Sequence, residues 1–366
     1  MLTYLIPFIV LILVVVFIHE YGHYYFARKY GVGVTDFSIG FGQEIFGWND
    51  KHGTRWKICW IPLGGYVKFF GDRNVFSQAD HEKILKQYNE EDQEKLFVIK
   101  PLYQRALIVF GGPLANFLLA IAIFFCIYTF VGKDFTPAVI NEVQKDSPAM
   151  IGGLKNNDII LEIDGNKVES IMDVSKFITT STGDVIDFKV ERFDQEYLLR
   201  IKPNVVLSDD NLGNKVNKRI VGIKLGAYNN EINHVKLGPA KALIHSVKEV
   251  YFVTASSLKY IGTMLRGTGD SSQLGGPIRI AKITGQVAEI GILPFISIMA
   301  YISISLGLIN LFPIPMLDGG HLLYYFIEVV MGKPLPERVQ AYAAQVGIFM
   351  LLGIMTIAIY NDISRL

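Results

Sequence analysis

A glutamate between two histidines is the arrangement in this chain best suited to metal-assisted hydrolysis. The three side chains are His19, Glu20 and His23. Positions four apart share one face of an α-helix, so the two imidazoles can bind one Zn²⁺ while Glu20 polarises the water held by the metal. The motif follows residues 4–18, an uncharged apolar run. Water chemistry is therefore predicted at the depth of a lipid bilayer.

A third metal ligand is needed, because catalytic zinc sites normally use three protein ligands and a water. Asp318 is the best candidate, since an ionisable group in an apolar span is costly unless a cation or a partner holds it. Pro313 and Pro315 break the helix before it, and the two glycines after it allow close backbone approach. Two alternatives stay open: Asp318 caps the following helix, or His321 is the third ligand rather than a group that orients one.

Four long apolar stretches must position these residues. After the first, residues 106–131, 290–317 and 339–361 carry no charge, and each exceeds the roughly 20 residues that cross a bilayer core. The composition, 51% hydrophobic with a net charge of +1, agrees with an integral membrane protein and does not favour nucleic-acid binding. The first stretch could be a secretory signal, but it has no basic start and no small-residue cleavage site. The sequence therefore predicts four transmembrane helices.

Basic residues near the ends of these stretches predict how the chain crosses the membrane. They flank the first and third loops: Arg28, Lys29, Lys100, Arg105, Lys333 and Arg338. The positive-inside rule puts both loops in the cytoplasm, and both termini and residues 132–289 on the other side. Spans one and three then run in the same direction, so the histidine pair and Asp318 are expected at the same membrane depth.

The histidine motif, residues 310–321 and the closing residues 361–366 resemble the site-2 protease family of intramembrane zinc metalloproteases. The resemblance covers nearly the whole chain. It implies that zinc is bound by His19, His23 and Asp318. It also implies that Glu20 acts as general base and acid in a peptide hydrolysis without a covalent enzyme intermediate.

The same resemblance implies residues that contact substrate. It gives this role to Asn310, with Pro313 and Pro315 nearby. Asn116, in the run at residues 111–117 of the second span, matches a further motif of the family. Tight helix packing by small residues explains this run almost as well. Asn116 is therefore predicted as a substrate contact, with helix packing as the alternative.

The first loop contains two stretches that alternate polar and apolar residues, at residues 54–60 and 66–70. Pro62 and two glycines separate them, which is typical of strands joined by turns. Family members are similar in having a re-entrant β element here. The stretches are either ordinary loop structure or an edge strand that captures substrate by β-augmentation. The second interpretation is favoured, because hydrolysis needs an extended segment whose backbone groups are then unpaired. Substrate contacts are predicted at three residues: Tyr66, Val67 and Lys68.

Residues 137–203 have the length and alternation of a small globular domain outside the membrane. Short runs within residues 147–165 resemble the opening half of a PDZ domain. Family members often carry two such modules, but this chain has room for one, which we call the PDZ-like module (residues 132–232). The module either binds a chain terminus or acts as a steric filter for substrates that have already been trimmed.

The predicted fold is a polytopic α-helical membrane protein with a cytoplasmic-side, membrane-associated β-hairpin region and an inserted extracytoplasmic α+β PDZ domain. Helical spacing of apolar residues at 234–266, with lysines around them, adds an amphipathic helix. The predicted segments are the first transmembrane helix with the zinc motif at 1–35, the cytoplasmic loop with the β region at 36–103, the second transmembrane helix at 104–131, the PDZ domain at 132–232, the amphipathic helix and connector at 233–289, the third transmembrane helix with the third metal ligand and a cytoplasmic loop at 290–338, and the fourth transmembrane helix with the C-terminus at 339–366.

Three functions are compatible with these features. The favoured one is an intramembrane protease of the bacterial inner membrane that cuts pre-trimmed proteins, such as anti-sigma-factor-like regulators or remnant signal peptides. An inactive scaffold that binds partners through its PDZ domain has no need for the base Glu20, and a tethered peptidase for soluble proteins does not explain why His19 ends an apolar run. The expected cofactor is Zn²⁺. The expected partners are single-span membrane substrates, the lipid bilayer and a peptide ligand of the PDZ domain, with no nucleic acid.

Overall fold

The computed structural model describes residues 2–71, 88–209, 215–227, 233–267 and 275–364. Its helices are α1 (Leu2–Lys29), α2 (Glu90–Gln93), α3 (Leu102–Cys126), α4 (Pro148–Ile151), α5 (Ile171–Thr180), α6 (Pro239–Leu265), α7 (Pro277–Ile290), α8 (Ile292–Asn310), α9 (Asp318–Met331) and α10 (Glu337–Ile363). Its strands are β1 (Val34–Asn49), β2 (Arg55–Phe69), β3 (Lys133–Asp134), β4 (Ala138–Val143), β5 (Ile159–Ile163), β6 (Asn166–Lys167), β7 (Ile186–Arg192), β8 (Gln195–Ile201), β9 (Asn204–Asp209), β10 (Lys215–Ile220), β11 (Ile223–Ala227) and β12 (His234–Val235). The connector predicted after the amphipathic helix lies mostly outside the described residues.

Among the described residues, four helices are long and apolar enough to cross a membrane, in agreement with the prediction. The spans are Tyr4–Lys29, Leu102–Val131, Ile292–Asn310 and Arg338–Ile363. The third apolar run, residues 290–317, is not one helix, because α8 ends at Asn310 and a separate helix, α9, begins at Asp318. The two prolines between these helices lack the backbone N–H that would continue α8.

The structure divides into two compact units, and small residues bring the helices of the first unit close together. Gly22 of α1 faces Gly111 of α3, since a Cβ on Gly22 would lie 2.1 Å from the Gly111 carbonyl oxygen. Gly285 of α7 packs in the same way on α1, where an added Cβ would lie 2.5 Å from the Cα of Tyr4. Glycine therefore sets the separation of α1 from both neighbours, as small residues do between membrane helices.

The start of α7 is held by a side chain from another helix. Asp362 of α10 accepts hydrogen bonds from the backbone N–H groups of Gly276, Ile278 and Arg279 at 2.8, 3.0 and 3.1 Å. The first N–H groups of a helix have no partner within that helix. The Asp362 carboxylate accepts from them and so caps α7 from a distant position in the same chain. It is 6% exposed and fixes the C-terminal end of α10 to α7.

Strands β1 and β2 form a hairpin that bends back on itself. The first half of β1 pairs with the end of β2, and the last part of β1 pairs with the start of β2. Gly40 and Gly64 have φ of 86° and 131°, which lets the strands change direction at these positions. Residues 64–69 consequently form an edge strand, with β1 on one side and no further strand on the other among the described residues. We call residues 64–69 the edge strand.

The second unit, residues 124–274, contains a six-stranded sheet. The strand order is β11-β4-β5-β7-β8, and β6 pairs with β5. Val174, Phe177 and Ile178 of α5 are buried in the core on this sheet. The sheet includes β11, which lies beyond residue 203 but within the predicted PDZ domain at 132–232, and pairs with β4. The hairpin β9–β10 separates this last strand from the others along the chain.

Helix α6 occupies the position of the predicted amphipathic helix. Phe252 packs on Phe177 of α5 with ring centroids 5.2 Å apart. The Glu249 carboxylate forms an ion pair with Lys176 of α5 at 2.7 Å. Apolar side chains on other positions of α6 are exposed: Leu243, Ile244, Val247 and Tyr251. The helix is thus amphipathic, with one side packed within the second unit and apolar groups elsewhere on its surface.

Candidate metal centre

The histidine pair of α1 and the first residue of α9 meet in the first unit. His19 Nε2 and His23 Nε2 are 3.2 Å apart, Asp318 Oδ2 is 3.2 Å from His19 Nε2, and Asp318 Oδ1 is 3.5 Å from His23 Nε2. Two ligands of a tetrahedral zinc, each about 2.0–2.1 Å from the metal, are separated by about 3.3 Å. The three side chains therefore have the spacing of three ligands on one cation.

The protonation of these groups also fits a metal. Both imidazoles are nearly buried, at 7% and 9% exposure. His23 Nδ1 lies 2.9 Å from the carbonyl oxygen of Ile108, which can only accept, so Nδ1 donates and Nε2 keeps a lone pair. Asp318 Oδ2 is buried and has no hydrogen-bond partner among the described residues. Two imidazole nitrogens and a carboxylate oxygen form the donor set that zinc prefers in catalytic sites.

The loop before Asp318 is compressed against the first turn of α9. Added Cβ atoms on Gly319 and Gly320 would lie 2.2 Å from the Leu311 carbonyl oxygen and 2.4 Å from the Ile314 carbonyl oxygen. Met316 has φ of 84°, a conformation that L-residues with side chains rarely adopt. Strained backbone of this kind persists where the surrounding structure fixes it, and it is common at functional sites. Here it turns the chain so that α9 begins with its carboxylate at the histidine pair.

A buried ion pair holds the same helix from its other end. Arg105 of α3, 4% exposed, donates to Glu328 of α9 at 2.6 and 3.3 Å, and its guanidinium lies over the ring of Tyr325 at 5.1 Å. Such a bidentate pair fixes direction as well as distance. Arg105 was interpreted from the sequence as a topology signal only, and nothing in the sequence pairs it with Glu328.

Glu20 faces the edge strand. A Cβ on Gly65 would lie 3.1 Å from Glu20 Cγ, and the backbone N–H of Val67 donates a hydrogen bond to the Glu20 carboxylate. Val67 and Tyr66 pair with Phe37 and Ser38 of β1 on the other side of the strand. The predicted base and the predicted substrate strand are therefore neighbours.

Asp50 joins the β1–β2 hairpin to α1 at Tyr24, the residue that follows His23. Its carboxylate accepts hydrogen bonds from the side chains of Trp56 and Tyr24, both at 3.0 Å, and from the backbone N–H groups of His52 and Thr54. Burial opposes ionisation of this carboxyl, but these hydrogen bonds, that of Trp56 first, lower its pKa to about 2. The charged form that binds all four donors is thus the form present at neutral pH.

The remaining residues predicted to contact substrate lie at different distances from the ligands. Asn310 Nδ2 is 3.5 Å from His19 Nε2, on the side of the ring that faces the other ligands. Pro313 is exposed and Pro315 half-buried in the compressed loop. Lys68 belongs to the edge strand, where its backbone carbonyl accepts from the Thr35 hydroxyl of β1.

Asn116 and His321 were both considered from the sequence and lie outside the group of possible ligands. Asn116 is fully buried on α3, with Nδ2 3.3 Å from His19 Nδ1, so it contacts a predicted ligand, and its contact with substrate stays a prediction. His321 is not part of the group of possible metal ligands, which among the described residues consists of His19, His23 and Asp318. Its ring instead lies 6.0 Å from that of Tyr324.

Gly112 is a functional residue that the sequence reasoning did not single out. A Cβ at this position would lie 2.3 Å from His23 Nε2 and 2.8 Å from His19 Cε1. The sequence offers a partial signal, since tight helix packing by small residues is the alternative interpretation of the run at residues 111–117. The space serves the two imidazoles as well as the helix contact.

Comparisons with known proteins identify the family. The sequence model of peptidase family M50 matches residues 7–354. The chain belongs to this family. It is 41% identical to a protein of Agrobacterium fabrum that bears the name of a zinc metalloprotease, over 99% of this chain and 96% of that one. It is 33% identical to the metalloprotease MmpA of Caulobacter vibrioides, over 100% of this chain and 96% of that one. The predicted site-2 protease family and the predicted enzyme class, a metalloprotease, are confirmed.

A search of solved structures found a likeness limited to a part of the chain. The PDZ domain of an SdrC-like protein from Listeria monocytogenes is 26% identical, with 25% of this chain and 88% of that chain covered and a TM-score of 0.21.

Proposed function

We propose that this M50 metalloprotease binds Zn²⁺ through His19, His23 and Asp318 and cleaves membrane proteins within their transmembrane segments. The observation that carries the proposal is the meeting of the three ligand atoms, all within 4.8 Å of one another, where both histidines belong to a helix that is apolar enough to span a membrane. Buried ionisable groups at such a depth are stable only when a cation or a partner holds them. The names of the relatives support zinc as that cation.

Glu20 is the proposed general base and acid. When bound, Zn²⁺ supplies the Lewis acidity that lets a water attack a peptide carbonyl at neutral pH. Glu20 takes a proton from that water as its oxygen bonds to the carbonyl carbon. It returns the proton to the nitrogen as the C–N bond breaks. Asn310, close to His19 on the ligand side, is positioned to donate a hydrogen bond to the substrate backbone.

The edge strand is the proposed docking place for the unfolded substrate segment. A transmembrane helix satisfies its own backbone hydrogen bonds, so an extended stretch of it needs new partners. The free side of residues 64–69 offers backbone groups that no strand among the described residues pairs with, as in other cases of strand addition. The adjacency of Val67 and Glu20 supports this proposal, because a segment added there would run past the base.

The proposed setting is the bacterial inner membrane, with the metal site towards the cytoplasm and the PDZ-like module in the periplasm. The basic residues that flank the first and third loops support this orientation. The proposed substrates are single-span proteins whose external domain has already been removed, such as anti-sigma-factor-like regulators or remnant signal peptides. The module acts as the filter that admits them.

The test is cleavage of a tagged single-span substrate in cells that express the wild type or Glu20→Gln, with the zinc content of both purified proteins. The substitution keeps shape and ligands but removes the base. Loss of general base catalysis typically costs about 10²–10⁴-fold in rate. We therefore expect Glu20→Gln to cleave at least about 10²-fold more slowly than the wild type, at full zinc occupancy.

The matched control is Glu142→Gln, which makes the same chemical change at an exposed ion pair with Lys224. Exposed pairs contribute little, so cleavage and zinc content should equal those of the wild type. Cleavage by Glu20→Gln at the wild-type rate would rule out the assigned base. A purified wild type without stoichiometric zinc would rule out the metal assignment.

A further inference from the structure

Helix α3 contacts the back of both histidines with residues spaced by four. Ile108 supplies the carbonyl oxygen 2.9 Å from His23 Nδ1, Gly112 supplies the space for both rings, and Asn116 supplies the carboxamide 3.3 Å from His19 Nδ1. Residues four apart lie on the same face of a helix. One face of α3 therefore contacts both imidazoles.

The contact between His19 and Asn116 poses a question of hydrogen-bond direction. The carboxamide nitrogen Nδ2 is the atom nearer to His19 Nδ1, and the oxygen Oδ1 is buried without a hydrogen-bond partner among the described residues. An imidazole that binds a metal through Nε2 carries its remaining proton on Nδ1, which is then a donor. A donor facing the Nδ2 donor cannot form a hydrogen bond. A rotation of the carboxamide by 180° exchanges its two ends at nearly unchanged shape and brings the accepting oxygen to His19 Nδ1.

We propose that Asn116 is a positioning residue of the metal centre, whose carboxamide oxygen accepts the Nδ1–H of His19 and so directs the Nε2 lone pair at the metal. The inference rests on the proposed function, since it concerns the same three ligands. It differs from the role predicted from the sequence, a contact to substrate. His23 is directed in the same way by the Ile108 carbonyl.

The surroundings of Asn116 fix its side chain for this task. It is fully buried, its backbone carbonyl accepts a hydrogen bond from Ser303 of α8 at 2.9 Å, and its Cβ packs on Gly307, where an added Cβ would lie 3.3 Å away. The backbone at Asn116 is thus held by α8, while the carboxamide is free to face His19. A partner on the second nitrogen of a ligating histidine typically changes metal affinity about 10–100-fold.

The experiment measures the zinc dissociation constant of the full-length purified chain by competition with a chelator, for the wild type and three variants. Asn116→Leu keeps the approximate shape and removes both polar ends. Asn116→Asp keeps an accepting oxygen and removes the N–H donor. Ser305→Ala is the control, since it makes a change on the same helix, α8, at an exposed hydroxyl that donates to Tyr301 and not to Asn116. Co²⁺ bound in place of Zn²⁺ gives a visible spectrum that reports ligand geometry independently of activity.

We expect Asn116→Leu to bind zinc about 10–100-fold more weakly and to change the Co²⁺ spectrum. Asn116→Asp should bind at least as tightly as the wild type, since a carboxylate is a common partner of a zinc-bound histidine. Ser305→Ala should bind as the wild type does. Wild-type affinity in Asn116→Leu would overturn the inference, and so would equal losses in the Leu and Asp variants.

His19→Ala separates this inference from the proposed function. If His19→Ala loses zinc while Asn116→Leu keeps it, the metal site stands and only the positioning role of Asn116 falls. If His19→Ala binds zinc as tightly as the wild type, the assigned ligand set is wrong and the inference falls with it.

Discussion

At the scale of single residues, the metal centre depends on the absence of a side chain at Gly112. Gly112 has no Cβ, and a Cβ there would lie 2.3 and 2.6 Å from two atoms of the His23 ring and 2.8 Å from the His19 ring. We expect Gly112→Ala to displace both imidazoles and to lower zinc affinity at least about 10-fold, the lower limit seen for a lost support of a ligand. Cleavage should fall with it. Zinc titration of the purified variant measures the first effect directly.

Gly353→Ala is the matched control for this prediction. Gly353 also lies inside a spanning helix, α10, but an added Cβ would meet nothing within 4 Å. Alanine favours a helix over glycine by about 1 kcal/mol, so this variant should be slightly more stable and otherwise unchanged. Equal zinc affinity in Gly112→Ala and Gly353→Ala would contradict the importance of the space behind the histidines.

The ligands themselves could be predicted from the sequence because their chemistry has few alternatives. Two histidines lie four apart after one apolar run, and an aspartate lies at the end of another. Few arrangements other than a shared cation would stabilise these three groups at membrane depth. The residues behind them could not be predicted with the same certainty. Asn116 is a polar residue in a span, and only its contact with His19 distinguishes a support for the ligand from a substrate contact.

At the scale of elements, the edge strand carries the clearest prediction. The N–H of Val67 points away from β1 towards Glu20, so proline at this position removes a donor on the free side and leaves the pairing with β1 intact. We expect Val67→Pro to slow cleavage about 10-fold or more, equivalent to about 1.4 kcal/mol, because the free side of the edge strand loses the N–H that donates to Glu20 beside the docking place. The rate is measured on the same tagged substrate, and zinc content should not change.

Val67→Ala distinguishes the backbone from the side chain. This variant keeps the N–H and shortens the side chain that packs beside Phe37. It should cleave nearly as fast as the wild type. Cleavage by Val67→Pro at the wild-type rate would remove the edge strand as a docking place, whereas an equal loss in both variants would attribute the effect to packing.

The elements differ in how far the sequence determines them. The four spans follow from uncharged length, and the alternation in residues 54–70 indicates strands. The pairing inside that region does not follow, since β1 contacts both halves of β2 through bends at glycines. The end of α8 was indicated by two prolines, but the uncharged run around them continues to residue 317. Hydropathy alone therefore gives the extent of an apolar run and not the helix boundary that sets Asp318 at the histidines.

At the scale of the whole molecule, the chain combines a unit that holds the metal centre with a unit that contains the PDZ-like module. The beginning and the end of the module are held together by the pairing of β3 with β12, and Phe135 N donates to Asn233 O at 2.8 Å. Paired residues of neighbouring strands are separated by about 5 Å. A few glycine and serine residues can therefore join residues 135 and 233 in place of residues 136–232. The replacement also removes α5, the packing partner of α6.

We expect this shortened chain to cleave substrates that still carry their external domain, which the full-length chain leaves intact. The physical reason is steric: a filter excludes bulk, and its removal needs no new contact with substrate. The measurement compares intact and pre-trimmed versions of one tagged substrate with both chains. The pre-trimmed version is the control for folding, since both chains should cut it at equal rates. If the shortened chain cuts the trimmed substrate and still refuses the intact one, exclusion lies in the membrane unit and the module has a different role, such as binding a chain terminus.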